Sequence, residues 1–133
     1  MKMTLNEVLE NYKSLAELAE KKFPVSFSYA ISKNLKKLES EVKLIEKGRS
    51  DLIMQYCEKD EEGKAKSDSK GNLVFGNNAE KFISEYNEYL ETETEVEIHK
   101  ISFAEIERTE DSRYDILLPA ELMGIEFMIE EEA

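Results

Sequence analysis

The chain has 133 residues, of which 41% are hydrophobic and 36% charged, with a formal net charge of −12. That length fits one domain, with enough apolar side chains to build a core without disulfides or metals. A single cysteine, Cys57, excludes an internal disulfide. The opening MKMTLNEVLEN has no signal-peptide run, and no stretch nears the ~18 apolar residues of a membrane span, so a cytosolic location is expected.

The charge is uneven. Residues 1–57 carry ten Lys/Arg against eight Asp/Glu, residues 58–78 four against five, and residues 79–133 four against seventeen. The C-terminal half should therefore repel nucleic-acid backbones and attract basic surfaces, unless its charge serves solubility alone. Absence of Trp, two Pro and five Gly, among many Glu, Lys and Leu, favours helix.

Thr4-Leu5-Asn6-Glu7 reads as a capping box that opens a helix. Its apolar stripe is Leu5, Val8, Tyr12, Leu15 and Ala19, widened by Leu9, Ala16 and Leu18. Lys21 and Lys22 suit its C-terminal dipole, and Pro24 ends it. A longer helix is predicted from near Ser26 to about Glu58. Its apolar register, Ile31, Leu35, Leu38, Val42, Ile45, Arg49, Leu52 and Tyr56, alternates steps of four and three as a coiled-coil seam does. Arg49 is the charged intruder, and Gly48 weakens the helix beside it. Such a helix would be about 50 Å long. The expected radius of gyration is only ~14 Å, so helix one, a later helix or a second copy of the chain must cover its seam; self-association is the expectation, with cover by the third helix as the monomeric alternative.

Residues 60–78 are rich in turn formers. Leu73–Phe75 suit a short strand, with Lys64–Lys66 as a hairpin partner across Ser69-Lys70-Gly71. Asn77 or Asn78 then opens a third helix with Phe82, Ile83, Tyr86, Tyr89 and Leu90 on one face. Glu95–His99 alternates as a strand does, Ser102–Glu105 fits a capped helical turn, and Tyr114–Leu118 reads as another strand. Pro119 opens a last helix with Leu122, Ile125 and Ile129 at helical spacing. Glu130–Glu132 oppose its dipole, so the tail is expected to fray. No internal repeat is evident.

Catalytic motifs are missing. Cys57 and the only histidine, His99, form no recognisable dyad, and two such residues fall short of a zinc ligand set. Gly63 taken as an EF-hand turn glycine would put Ser69 where a bidentate Glu is required. No phosphate-binding glycine loop occurs, and carboxylate density alone does not make a glycosidase. Lys33, Lys36, Lys37, Lys43 and Lys47 read as a solvated helix face, with Glu39 and Lys43 as an i,i+4 pair.

These features in order, with Pro24 opening a long helix, Arg49 near its end, Gln55-Tyr56 before the acidic turn Asp60–Gly63, and the ending Pro119–Leu122, resemble a family of small acidic phage proteins classed only as a domain of unknown function. The resemblance spans nearly the whole chain and brings no catalytic residues. It implies a phage origin, expression in the bacterial cytoplasm, and contact with host proteins, including abortive-infection or other defence factors that sense such proteins.

The expected fold is α+β and predominantly helical, in one domain over 1–133: a helical hairpin at 1–59 with one long helix, then a turn and strand region with a small β-hairpin or sheet element and acidic C-terminal helices at 60–133. The expected function is non-enzymatic binding of a host protein by an acidic surface at Glu85, Glu88, Glu91, Glu93, Glu95 and Glu97. Cofactors, metals, membranes and direct nucleic-acid contact are not expected; a homodimer through the seam is. A virion component or assembly chaperone, and an acidic nucleic-acid mimic, are the alternatives.

Overall fold

A computed structural model describes residues 1–131. They form five α-helices and one two-stranded antiparallel sheet, so the fold is α+β and predominantly helical. The elements are β1 (Lys2–Thr4), α1 (Leu5–Leu18), α2 (Val25–Tyr56), α3 (Ala79–Leu90), β2 (Glu93–Glu95), α4 (Phe103–Glu107) and α5 (Pro119–Gly124).

The chain folds as two compact units. One combines Met1–Val42 with the chain from Glu93 onward; the other is Lys43–Thr92. The division falls inside α2. The reason is burial: residues 25–42 of α2 find their cover in the two chain ends, whereas residues 43–56 find theirs in the segment that immediately follows.

In the first unit the capping box forms as expected. The Glu7 N–H donates to Thr4 Oγ1 at 3.1 Å, and the Thr4 N–H donates to Glu7 Oε1 at 3.2 Å. Thr4 also ends β1, which pairs with β2 in the register Lys2↔Glu95, Met3↔Thr94 and Thr4↔Glu93. The strand expected at 95–99 is thus displaced toward its N-terminal side. Leu5, Val8, Leu15 and Leu18 are the buried stripe of α1, while Ala19 is exposed. α1 also lies against α5, where Gly124 faces Ser14: a Cβ at 124 would stand 3.1 Å from Ser14 Cβ. Lys21 and Lys22 lie beyond the last turn of α1 and hold the segment before α5 instead.

The buried face of α2 in this unit is Phe27, Ala30, Ile31, Asn34 and Leu38. It steps four, three, four as predicted, but passes through Asn34 where the apolar reading put Leu35, which is only half-buried. Asn34 is fully buried because its amide completes a strand-like pairing. Its Nδ2 donates to the His99 carbonyl at 2.9 Å, and its Oδ1 accepts from the His99 N–H at 2.7 Å. Residues 126–128 form a short 3-10 turn with Met128 buried, and the Glu130 N–H donates to Ile101 O at 2.7 Å. The tail is therefore tied through Glu130; Glu132 lies outside the described residues.

In the second unit, the expected hairpin across residues 69–71 is present, and it has a twin. Asp60 Oδ1 accepts from the Glu62 and Lys64 N–H groups at 2.9 and 3.0 Å; Asp68 Oδ1 accepts from those of Lys70 and Asn72 at 2.8 and 3.0 Å. Gly63 and Gly71 sit three residues after each aspartate at φ +81° and +83°, a region where a Cβ is strained. The chain therefore does carry an internal repeat, Asp-x-x-Gly at a spacing of eight, and it folds 58–74 into a three-armed meander with bridges Lys59↔Ala65 and Ser67↔Leu73. Phe75 stacks on Phe82 at 4.5 Å, and Phe82 meets Tyr86 edge-on at 5.8 Å.

Gly48 has a specific role here. A Cβ at this position would stand 2.6 Å from Cζ of Tyr89 on α3. Helix propensity alone favours Gly48→Ala by about 1 kcal/mol, while forcing a methyl into a packed contact costs about 1–3 kcal/mol. The steric cost should win, with a net loss of about 1 kcal/mol in urea denaturation. In a Tyr89→Ala background the same substitution should instead stabilise by about 1 kcal/mol. Equal effects in both backgrounds would disprove the contact as the cause.

Candidate docking groove

The seam residues end up in different environments. Ile31, Leu38 and Ile45 are buried within their own chain; Leu35, Val42, Leu52 and Tyr56 are half-buried; Arg49 is exposed, its guanidinium 6.0 Å from the Tyr86 ring centroid. Three of the eight seam positions are thus buried within the chain, and the other five keep exposed surface that a homodimer through the seam would cover. Tyr86 and Tyr89 of α3 lie against Arg49 and Gly48, which is the third-helix cover weighed from the sequence.

The six glutamates of the expected acidic surface are all exposed, and they divide between the units: Glu85, Glu88 and Glu91 in one, Glu93, Glu95 and Glu97 in the other. Two of them have cationic partners. Glu95 lies 3.7 Å from the N-terminal ammonium and Glu97 lies 3.3 Å from Lys37 Nζ. Glu85 accepts the Tyr56 hydroxyl, which holds that phenol above its usual range.

A second acidic feature escaped the sequence reading. The α4 helix runs directly into a 3-10 turn, Arg108–Glu110. Ile106 and Thr109 are buried beneath it, with Thr109 Oγ1 donating to Ile106 O at 2.8 Å. The segment expected as a strand at Tyr114–Leu118 is irregular, because its polar backbone groups are paired with the α1–α2 connection and not with another strand. Lys22 N–H donates to Asp115 Oδ2 at 2.6 Å, and Asp115 N–H returns a bond to Lys22 O at 2.8 Å. Lys21 Nζ donates to Ile116 O at 3.0 Å and to Glu121 Oε1 at 2.7 Å. Glu121 also accepts from the Leu118 N–H at 2.9 Å, closing the first turn of α5.

Between this pinned wall and α4 lies a cavity of about 690 Å3. Its apolar lining includes Phe103, Ile106, Tyr114, Ile116, Leu117 and Leu122; its acidic lining is Glu107, Glu110 and Asp111. Among the described residues no basic side chain lines it. Ile116 is 75% exposed and Phe103 41%. The signal was present in the sequence as Ile116-Leu117-Leu118, an apolar run with no helical partner, after the acidic turn Glu107–Asp111.

A neighbouring cavity of about 840 Å3, lined by Tyr29, His99, Lys100, Glu105, Arg108 and others, differs in character. Its charges are largely matched: Glu105 accepts from Ser26 and from Arg108 Nη1, the latter at 3.3 Å, and the Ser26 bond first, then Arg108, keep its carboxyl below the usual range. The His99 ring meets Tyr29 edge-on at 5.6 Å. Cys57 is buried in the other unit. Among the described residues no three His, Cys, Asp or Glu side chains gather as metal ligands would, and no helix is long and apolar enough to cross a membrane.

The wall should respond to pH. Burial pushes the Glu121 carboxyl up, but the Lys21 hydrogen bond, the Leu118 N–H and the Lys21 charge together outweigh it, so Glu121 lies below its ordinary value. Its ionised form is therefore favoured by folding. That contribution is present above the unfolded carboxylate range near ~4.3 and is lost as pH falls through the lower folded value. Urea midpoints measured from pH 6 down to pH 3 should fall more steeply for the wild type than for Lys21→Met. Parallel curves would remove the ion pair from the account.

No family model, curated protein or solved structure matches the chain.

Proposed function

We propose that the chain is a phage-encoded, non-enzymatic interaction protein that binds a host protein in the bacterial cytoplasm during infection, with abortive-infection and other defence factors among its targets. The observation that carries the reading is the groove between α4 and the 114–122 segment. It joins an apolar floor to an acidic rim, and paired backbone and ion-pair contacts fix one of its walls. Pre-formed apolar concavities with oriented polar groups are sites of recognition. The acid-rich surface adds attraction to basic partners and opposes nucleic acid.

The test is affinity purification of the tagged full chain from infected bacteria, beside an Ile116→Asp variant. A host protein that is retained by the wild type and lost by the variant supports the reading. Stoichiometric recovery of the chain in purified phage particles would instead make it a virion component. Retention of a DNA-binding protein that duplex DNA displaces, with steep salt dependence, would make it a nucleic-acid mimic. Sedimentation equilibrium tests the homodimer through the α2 seam: twice the 15.4 kDa monomer mass supports it, and the monomer mass overturns it.

A further inference from the structure

We propose, on the reading of the chain as a binding protein, that the α4 groove receives one particular kind of occupant: an exposed segment of a partner protein that presents large apolar side chains flanked by lysine or arginine. The floor supplies the first half of this specificity. Phe103, Ile116 and Leu122 line it and leave apolar surface open to solvent. Leu118 and Met123, each next in the chain to a lining residue, are 51% and 70% exposed. The 116–123 segment thus carries exposed apolar side chains in addition to those that line the cavity, a length of chain that suits contact with a peptide.

The rim supplies the second half. Of its three carboxylates, Asp111 is already engaged, with Arg113 Nε and Nη2 on its two oxygens at 3.1 and 3.4 Å. Among the described residues Glu107 and Glu110 have no ion pair or side-chain hydrogen bond and no cation lines the groove itself; Arg108 and Arg113 share an adjoining cavity with Glu107 but already pair with Glu105 and Asp111. Unbalanced like charges beside low-dielectric walls focus their field on whatever enters. An anionic segment would be repelled. A neutral apolar one would leave both carboxylates to be desolvated without partners, which is costly. A segment with flanking cations satisfies floor and rim together, and the rim charges act chiefly on the rate of encounter.

Selection of random peptides displayed on phage against the immobilised full-length protein tests this. The enriched sequences should combine Leu, Ile, Phe or Trp with flanking Lys or Arg. A resynthesised, labelled peptide should bind about tenfold more weakly to Ile116→Asp. Binding to the Glu107→Gln, Glu110→Gln double variant should weaken about threefold or more at low salt, with a smaller difference at high salt. Ile116 and both glutamates are exposed, so circular dichroism should show the variants folded. Enrichment without basic residues, failure to enrich anything, or equal affinity for Ile116→Asp would each overturn the proposal, as would a groove occupied by a second copy at twice the monomer mass. Loss of the groove result with a host partner still captured by Ile116→Asp would leave host binding intact and place it elsewhere. Peptide binding without any captured host partner would do the reverse.

Discussion

Replacing Phe27 with alanine should lower the stability of the first unit by about 3–5 kcal/mol, the range for truncating a fully buried aromatic side chain. Phe27 has no exposed surface, and its ring stacks on Phe23 with centroids 4.9 Å apart and planes 14° apart. The lost ring removes both its transfer free energy and that stacking contact, and leaves a cavity that helical backbone on one side cannot collapse into. Alanine is the better helix former by only about 0.5 kcal/mol, too little to compensate. Because the chain has two compact units, a single unfolding transition is not assured. Hydrogen exchange read by mass spectrometry is therefore the measurement. Amides of 5–18 and 26–42 should lose protection, and unchanged protection there would show that Phe27 bears little of the load.

Asn34→Leu should cost about 3 kcal/mol even though leucine fits the volume and the helix. The loss comes from the partner and not from the residue replaced. The His99 N–H and carbonyl would both remain in place with nothing to bond, and each such group costs about 1–3 kcal/mol. Asn34→Asp tests the same geometry from another direction. It keeps the acceptor for the His99 N–H, loses the donor to His99 O, and places a carboxylate in a fully buried site. Burial should raise the pKa of that new carboxyl, so its damage should be smallest at low pH and grow as pH rises through the unfolded carboxylate range. A urea series for the two variants at pH 4 and pH 7 checks both points. If Asn34→Leu equals wild type, the His99 segment finds other partners and the amide is dispensable.

These two residues show what could be read from the sequence. The α2 register from Ile31 onward was legible in outline because apolar spacing alone signals a buried helix face, and Phe27 extends it by one step toward the N-terminus. Asn34 was not, because a polar side chain at the decisive turn shifts the pattern by one residue, and only its distant partner His99 explains it. The Thr4–Glu7 box was fully readable, since all its partners lie within one helical turn. β1 was hidden by its length, since three residues give alternation no room to declare itself, and β2 was read a few residues too far along the chain. The Asp-x-x-Gly repeat shares too few letters to stand out, although each copy builds the same turn. The groove was missed for a related reason. Its acidic turn and its apolar run are separate in the chain, and each looked unremarkable until the fold placed them on opposite walls.

The way the units divide the chain also sets an order of events during synthesis. The second unit is one continuous stretch, Lys43–Thr92, so it can close as soon as it leaves the ribosome. The first cannot. Phe27, Ile31 and Leu38 emerge early, but Asn34 meets His99 only 65 residues later, and Ile101, Ile125 and Met128 later still. At ordinary elongation speeds that interval is roughly 3–13 s. Throughout it the Asn34 turn of the helix lacks the partners that His99 and Met128 later supply, so the larger unit closes only when the last part of its chain has been made.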